Sequence, residues 1–286
     1  MISRLVKKKE LPPVVYMLLK NKGAIFGLIF IVILVATAIF ADFIAPYDPV
    51  AQNIPKKLAP PSFSNILGCD ELGRDVLSRL IYGSRISLIV GSSVVAISAI
   101  IGSLLGSVAG YYGGGVDMII MRLVDIFISF PGLILAIGIM AALGQSILNV
   151  IIALSLVNWP AFARVVRAEA LRISQLEYIQ AAKVMGASNR HIIFSHIIPN
   201  SLPPILVLVT LNIGWAILAE ASLSFLGLGV NPPEPSWGSM VAVGRFYLLQ
   251  AQHVIIFPGL AIFITVLAFN LFGDGLRDAL DPQLQL

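Results

Sequence analysis

Few side chains in this sequence are placed to do bond-making chemistry. Glu220 lies in or near the end of an apolar run with no basic residue close by. An unpaired acid at membrane depth is costly, so it marks a functional candidate unless water or a neighbouring helix satisfies it. Asp125 follows Arg122 by three residues, the spacing of an ion pair along one helix face. Asp117 reads as interfacial. His191, His196 and His253 are too scattered for a metal site, and Cys69 is the sole cysteine, which excludes an internal disulfide. No G-x-x-x-x-G-K-[ST] loop, HExxH pair, nucleophile elbow or repeated carboxylate motif occurs. Catalysis and nucleotide binding within this chain are therefore not expected.

The stretch suited to contact rather than catalysis is 177–200, EYIQAAKVMGASNRHIIFSHIIPN. It is a polar, helix-forming island between long apolar runs. Tyr178, Ala181, Ala182 and Met185 recur at three- and four-residue steps and share one helical face. The two alanines would let a partner's backbone come close. Gly186 is placed to end that helix at positive φ, and Ser188 to cap a second one. Pro199 closes the second helix, since it cannot continue the ladder without a kink. An ordinary interhelical loop would show the same signals.

The elements that position these residues are membrane spans. The chain is 58% hydrophobic and 12% charged, with mean hydropathy +0.92, against roughly 25% charged in soluble domains. Apolar runs at 23–41, 86–116, 119–143, 147–163, 203–223 and 254–272 give six spans in an all-α, polytopic membrane protein. The first follows a basic stretch and is read as a span rather than a cleaved leader. Gly102 and Gly106 form a GxxxG in the second, Pro131 lies inside the third and Pro160 interrupts the fourth. A first polar excursion, 46–82, closes on an amphipathic helix over 70–82. Asp70 is its cap, Gly83 its stop, and Asp75 and Arg79 lie one turn apart on it. A second excursion, 226–252, carries a short helix started by Ser236, with Trp237 and Tyr247 suited to a membrane interface.

Six spans place both termini on one side. That side collects thirteen Lys and Arg, including Arg4, Lys7, Lys8, Lys9, Lys20 and Lys22; the other collects six, including Lys56, Arg74 and Arg79. The bias predicts cytoplasmic termini and a cytoplasmic island, although the first excursion is itself basic. The basic clusters serve orientation at a lipid surface, and no nucleic-acid partner is implied despite the net charge of +4.

The island resembles the EAA loop of inner-membrane permease subunits of bacterial ABC importers: Glu-Ala-Ala, three residues, Gly, nine residues, Ile-x-Leu-Pro. Here Gln180-Ala181-Ala182 is followed at the right spacing by Gly186 and by His196-Ile197-Ile198-Pro199. Gln180 replaces the glutamate, His196 the isoleucine and Ile198 the leucine. LGCDELGRDVLSRLIYGSRISL, MRLVDIFISFPG, AEASLSFLGLGVNPPEPSWG and FNLFGDGLRDALDP extend the resemblance to the dipeptide, oligopeptide and nickel group, and to the shorter of its two paralogous permeases.

The resemblance implies a type I ABC importer permease fold in the cell inner membrane. It implies a heterodimer with the paralogous permease, two cytoplasmic ATPase subunits and an extracytoplasmic substrate-binding protein. No cofactor is expected on this chain; ATP and Mg belong to the ATPase partners. It assigns Glu177, Tyr178, Gln180, Ala181, Ala182, Met185, Gly186, Ala187, Arg190 and Pro199 to ATPase coupling, with Glu177 and Gln180 as groove contacts. Polarity alone suggests Thr210, Asn212, Trp215 and Glu220 for the translocation pathway. The expected organisation is an N-terminal part at 1–85, a permease core at 86–278 containing the loop at 164–200, and a tail at 279–286. A self-sufficient ion-coupled transporter or channel working through Glu220 is the alternative.

Overall fold

A computed structural model describes residues 13–230 and 233–280, and every regular element in them is helical. The basic cluster Arg4, Lys7, Lys8 and Lys9 and most of the expected tail lie outside the described residues. After a short α1 (Pro13–Lys20), Asn21 caps α2 (Lys22–Ile39), its Oδ1 accepting from the Ala24 amide at 3.1 Å. A single turn, α3 (Ala41–Ile44), leads into the first excursion. The long helices that follow are α4 (Val76–Tyr112), α5 (Gly114–Ser129), α6 (Gly132–Leu143) and α7 (Ile147–Ser174). The chain then makes the island helices α8 (Glu177–Val184), α9 (Asn189–Ile192) and α10 (Ile198–Asn200). It ends with α11 (Leu202–Phe225), α12 (Trp237–Gly244) and α13 (His253–Leu280). Among the described residues five helices are long and apolar enough to cross a membrane, and α5 with α6 makes a sixth span if counted as one.

Small residues hold the bundle together. Cβ atoms on Gly102, Gly106 and Gly110 of α4 would lie 2.6, 2.4 and 2.6 Å from the carbonyl oxygens of Trp159, Ala163 and Arg167 on α7. The GxxxG expected from the sequence is thus a three-glycine seam, and it lets two backbones touch where lipid offers no hydrophobic drive. Gly27 and Gly275 do the same between α2 and α13.

Several local expectations are corrected. The third span is not one proline-containing helix: at Phe130 and Pro131 the axis turns by 90° between α5 and α6. Proline withholds its amide and biases the preceding residue to extended backbone, and Phe130 has ψ 139°. Asp70 does not cap the excursion helix. It heads a tight turn through Gly73 at φ +72°, and Asp75 caps α4, accepting from the Ser78 amide at 2.8 Å. Nor does Gly83 stop a helix. A Cβ there would meet the Trp237 ring at 2.7 Å, so glycine makes room while α4 runs on. Trp237 is 2% exposed and donates its indole N–H to the Leu80 carbonyl at 2.9 Å, so it anchors α12 on α4 instead of facing lipid headgroups. Asp125 pairs with Arg164 of α7 at 2.8 Å rather than with Arg122, and Asp117 pairs with Arg167, so α5 is tied laterally.

Candidate functional site

The island is built as a continuation of α7. That helix runs eleven residues past the end of the apolar run, through Arg164, Arg167 and Arg172, before stopping at Ser174. Gln180 closes its end, donating Nε2 to the Ser174 carbonyl at 2.7 Å. The side chain expected as a groove contact is therefore engaged within the chain as well.

Alpha-8 ends in a Schellman motif. The Ala187 amide bonds the Ala182 carbonyl and the Gly186 amide the Lys183 carbonyl, both at 3.0 Å, with Gly186 at φ +88°. The glycine break read from the sequence has this physical form. Ser188 then caps α9, accepting from the His191 amide at 3.3 Å. Between α9 and α10 the chain widens into a π-helical turn, Ile193–Ile197. Pro199 comes two residues after that turn and offers no amide, and the helix ends one residue beyond it, at Asn200. Ser201 lies between α10 and α11 and returns its hydroxyl to the Ile197 carbonyl at 2.8 Å.

What fixes α8 in place is a residue the spacing argument passed over. Ile179 is fully buried with Ala170, Ile173, Ile192, Ile193 and Ile197, and Tyr111 of α4 packs on the same cluster. Tyr111 also donates its hydroxyl to Asn189 Oδ1 at 2.7 Å, and Lys183 Nζ sits 4.7 Å from its ring centre. The isoleucines were the available signal: they recur through an otherwise polar stretch, and one sits on α8 beside the small-residue face.

With Ile179 turned inward, Glu177, Tyr178, Gln180, Ala181 and Met185 are exposed, together with Gly186 and Arg190, and Ala182 and Ala187 are half-buried. Met185 is 81% exposed and its neighbour Val184, not singled out from the sequence, 88%. Leaving two such side chains uncovered is unfavourable in water unless something docks on them. Tyr178 and His196 meet edge to face at 5.9 Å, and His196 meets His191 at 5.4 Å. Pro199 is exposed at the far end of the island.

The four polar residues of α11 do not converge. Thr210 Oγ1 and Asn212 Nδ2 bond the carbonyls of Val207 and Leu208 in their own helix, each at 2.8 Å. Trp215 is 37% exposed, on the same face as the exposed Leu218. Glu220 is fully buried: Ser224 donates to its Oε1 at 2.7 Å, and Ser236 also hydrogen-bonds the carboxyl. It joins α11 to the cap of α12 and lines no open face of this chain. His253 lies apart from the His191–His196 pair, beside Cys69, and no metal-ligand cluster occurs among the described residues.

A family model described as "Binding-protein-dependent transport system inner membrane component" matches residues 102–286, and one described as "N-terminal TM domain of oligopeptide transport permease C" matches 14–61. The glutathione transport system permease protein GsiD of Pectobacterium atrosepticum is 47% identical, over 93% of this chain and 89% of that protein. The dipeptide transport system permease protein DppC of Alkalihalophilus pseudofirmus is 46% identical, over 93% and 88%. Among solved structures, the MetNI methionine ABC transporter in inward-facing conformations matches with TM-score 0.58 and 20% identity, over 71% of this chain and 96% of that one, a likeness of fold.

Proposed function

The chain belongs to the binding-protein-dependent transport system inner membrane components, and from that premise we propose that it forms half of the import pathway for di- and oligopeptides or a related small solute. It is a multi-pass membrane permease, not an ion-coupled transporter acting alone. The named relatives that carry dipeptides or glutathione support the peptide assignment.

The remaining partners follow from the same reading. The paralogous permease supplies the other half of the pathway, two cytoplasmic ATPase subunits drive it, and a binding protein delivers solute to the outer excursions. ATP and Mg act in the ATPase subunits, and this chain holds no cofactor. Both termini face the cytoplasm. The unit at 86–278 is the transporting core, between the N-terminal part at 1–85 and the tail at 279–286.

One observation carries the mechanism: α8 is fastened by Ile179 while Tyr178, Val184 and Met185 stay uncovered. Such a helix transmits force by contact. Nucleotide-driven closure of two ATPase subunits would move two docked islands together and switch the permease pair between inward- and outward-facing states. Pull-down of the ATPase subunits with wild type, Ala182→Arg and Gly186→Asp tests this. The reading expects loss of ATPase binding and of ATP-driven uptake in both variants. Unchanged binding and uptake in both would overturn it.

A further inference from the structure

At the cytoplasmic end of α7, α11 and α13 lies an open cavity of about 730 Å³, within the size range of small-molecule sites, roughly 300–1,000 Å³. Its walls are apolar, with Pro203, Leu208 and Leu211 among them, and its charged lining comes from Glu169, Arg172 and Arg277. These three are not equally committed. Arg172 donates Nε and Nη2 to Glu169 Oε2 at 3.0 and 2.8 Å. Glu169 Oε1 accepts nothing among the described residues, and Arg277 makes no ion pair among them. Among the described residues the cavity therefore presents one open guanidinium and one open carboxylate oxygen over an apolar floor.

We propose that this cavity is the release site for the zwitterionic ends of an imported peptide: Arg277 receives the terminal carboxylate and Glu169 Oε1 the terminal ammonium. The assignment rests on the peptide-importer reading given above and adds to it the residues that meet the solute last. A guanidinium matches a carboxylate through paired charge-assisted hydrogen bonds. The apolar floor tolerates varied side chains because it makes no directed bonds. The site lies at the end of the bundle that carries the island, so motion of α8 passes straight into one of its walls through α7.

The test uses the assembled complex with its partner permease and ATPase subunits, nucleotide-free and without binding protein. Binding of dialanine, dialanine amide and N-acetyl-dialanine is measured by calorimetry. Wild type is expected to prefer dialanine over its amide about tenfold, the worth of one charge-assisted contact. Arg277→Gln removes that preference and Arg277→Lys keeps part of it. Glu169→Gln removes the preference over the N-acetyl compound and leaves the carboxylate preference intact. A merely structural role would lower binding of all three ligands together, and that result overturns the proposal, as does an Arg277→Gln complex that still discriminates. Uptake of di- and tripeptides into proteoliposomes is run beside it with wild type and binding protein. Uptake without cavity binding of dialanine overturns this site alone; absence of ATP-dependent uptake of any of these peptides overturns the importer reading itself.

Discussion

The two ends of the molecule handle charge and apolar surface in opposite ways. In the first excursion, Asp70 takes Arg74 Nε at 2.7 Å and Arg79 Nε at 3.3 Å, while Arg79 Nη1 donates to the Pro49 carbonyl at 3.0 Å. Asp75 is satisfied by Ser78 and by Asn65 Nδ2 at 2.9 Å. All four charged groups are buried and all are partnered. In the island the arrangement is reversed. Glu177 and Arg190 make no ion pair among the described residues, and Val184 and Met185 stand out in the open. Buried, closed networks make a surface rigid and self-sufficient. Unpaired charges around an uncovered apolar knob make one that is finished only by a partner. The excursion keeps its shape, and the island presents a contact.

Breaking the outer network should have the largest effect. Asp70→Ala leaves buried Arg79 without a carboxylate partner and Arg74 with Glu71 alone, a loss of about 3–5 kcal/mol. It should appear as a strongly lowered melting temperature of the purified complex or as failure to accumulate. Next comes Ile179→Ala, which removes the anchor of α8 and costs about 2–5 kcal/mol locally. The expected result is loss of ATPase co-purification with only a small change in melting of the bundle, because the Ile179 cluster reaches only the Gly110 end of the α4–α7 seam and leaves the contacts of Gly102 and Gly106 intact. Replacing Gly186 by valine forces a β-branched residue to φ +88°, a strain of about 1–3 kcal/mol. It should weaken ATPase binding by about tenfold or more while leaving outer-face accessibility unchanged.

The smallest effect is chemical. Burial raises the pKa of the Cys69 thiol above its ordinary value, with the nearby Asp75 charge acting in the same direction. The thiolate that a maleimide needs is scarce, and the sulfur is fully covered. Native protein at neutral pH should label slowly, whereas Met185→Cys in a Cys69→Ser background should label fast. Equal rates would erase the contrast between the two ends.

The spans and the local caps of the island were readable in the sequence, and the contacts made only after the chain folds back were not. Apolar run length marked the spans, and the Gly102–Gly106 pair marked the seam, because a membrane constrains both directly. Gly186 and Ser188 were readable because cap and break chemistry is local. Asp70 misled because its partners are set by the Gly73 turn and by Arg79, reached only after the chain folds back. Trp237 misled for a similar reason: an interfacial aromatic and one buried on Gly83 have the same sequence pattern until α12 is placed on α4. Glu220 stood out correctly as a costly acid: Ser224 and Ser236, one of them in another element, engage its carboxyl, while Oε2 finds no hydrogen-bond partner among the described residues. Ile179 was hidden because a single isoleucine beside a small-residue face carries no periodic signal of its own.

The central claim is that the exposed face of α8, and not the outer excursion, meets the ATPase subunits. It is tested most directly by photo-cross-linking in the assembled importer. In a Cys69→Ser background, a benzophenone maleimide is attached to a cysteine replacing Met185 or, separately, to one replacing Phe63, a fully exposed residue of the outer excursion. The account predicts an ATPase adduct from position 185 that changes in yield with nucleotide, and none from position 63. No ATPase adduct from position 185, or equal adducts from both, would contradict it.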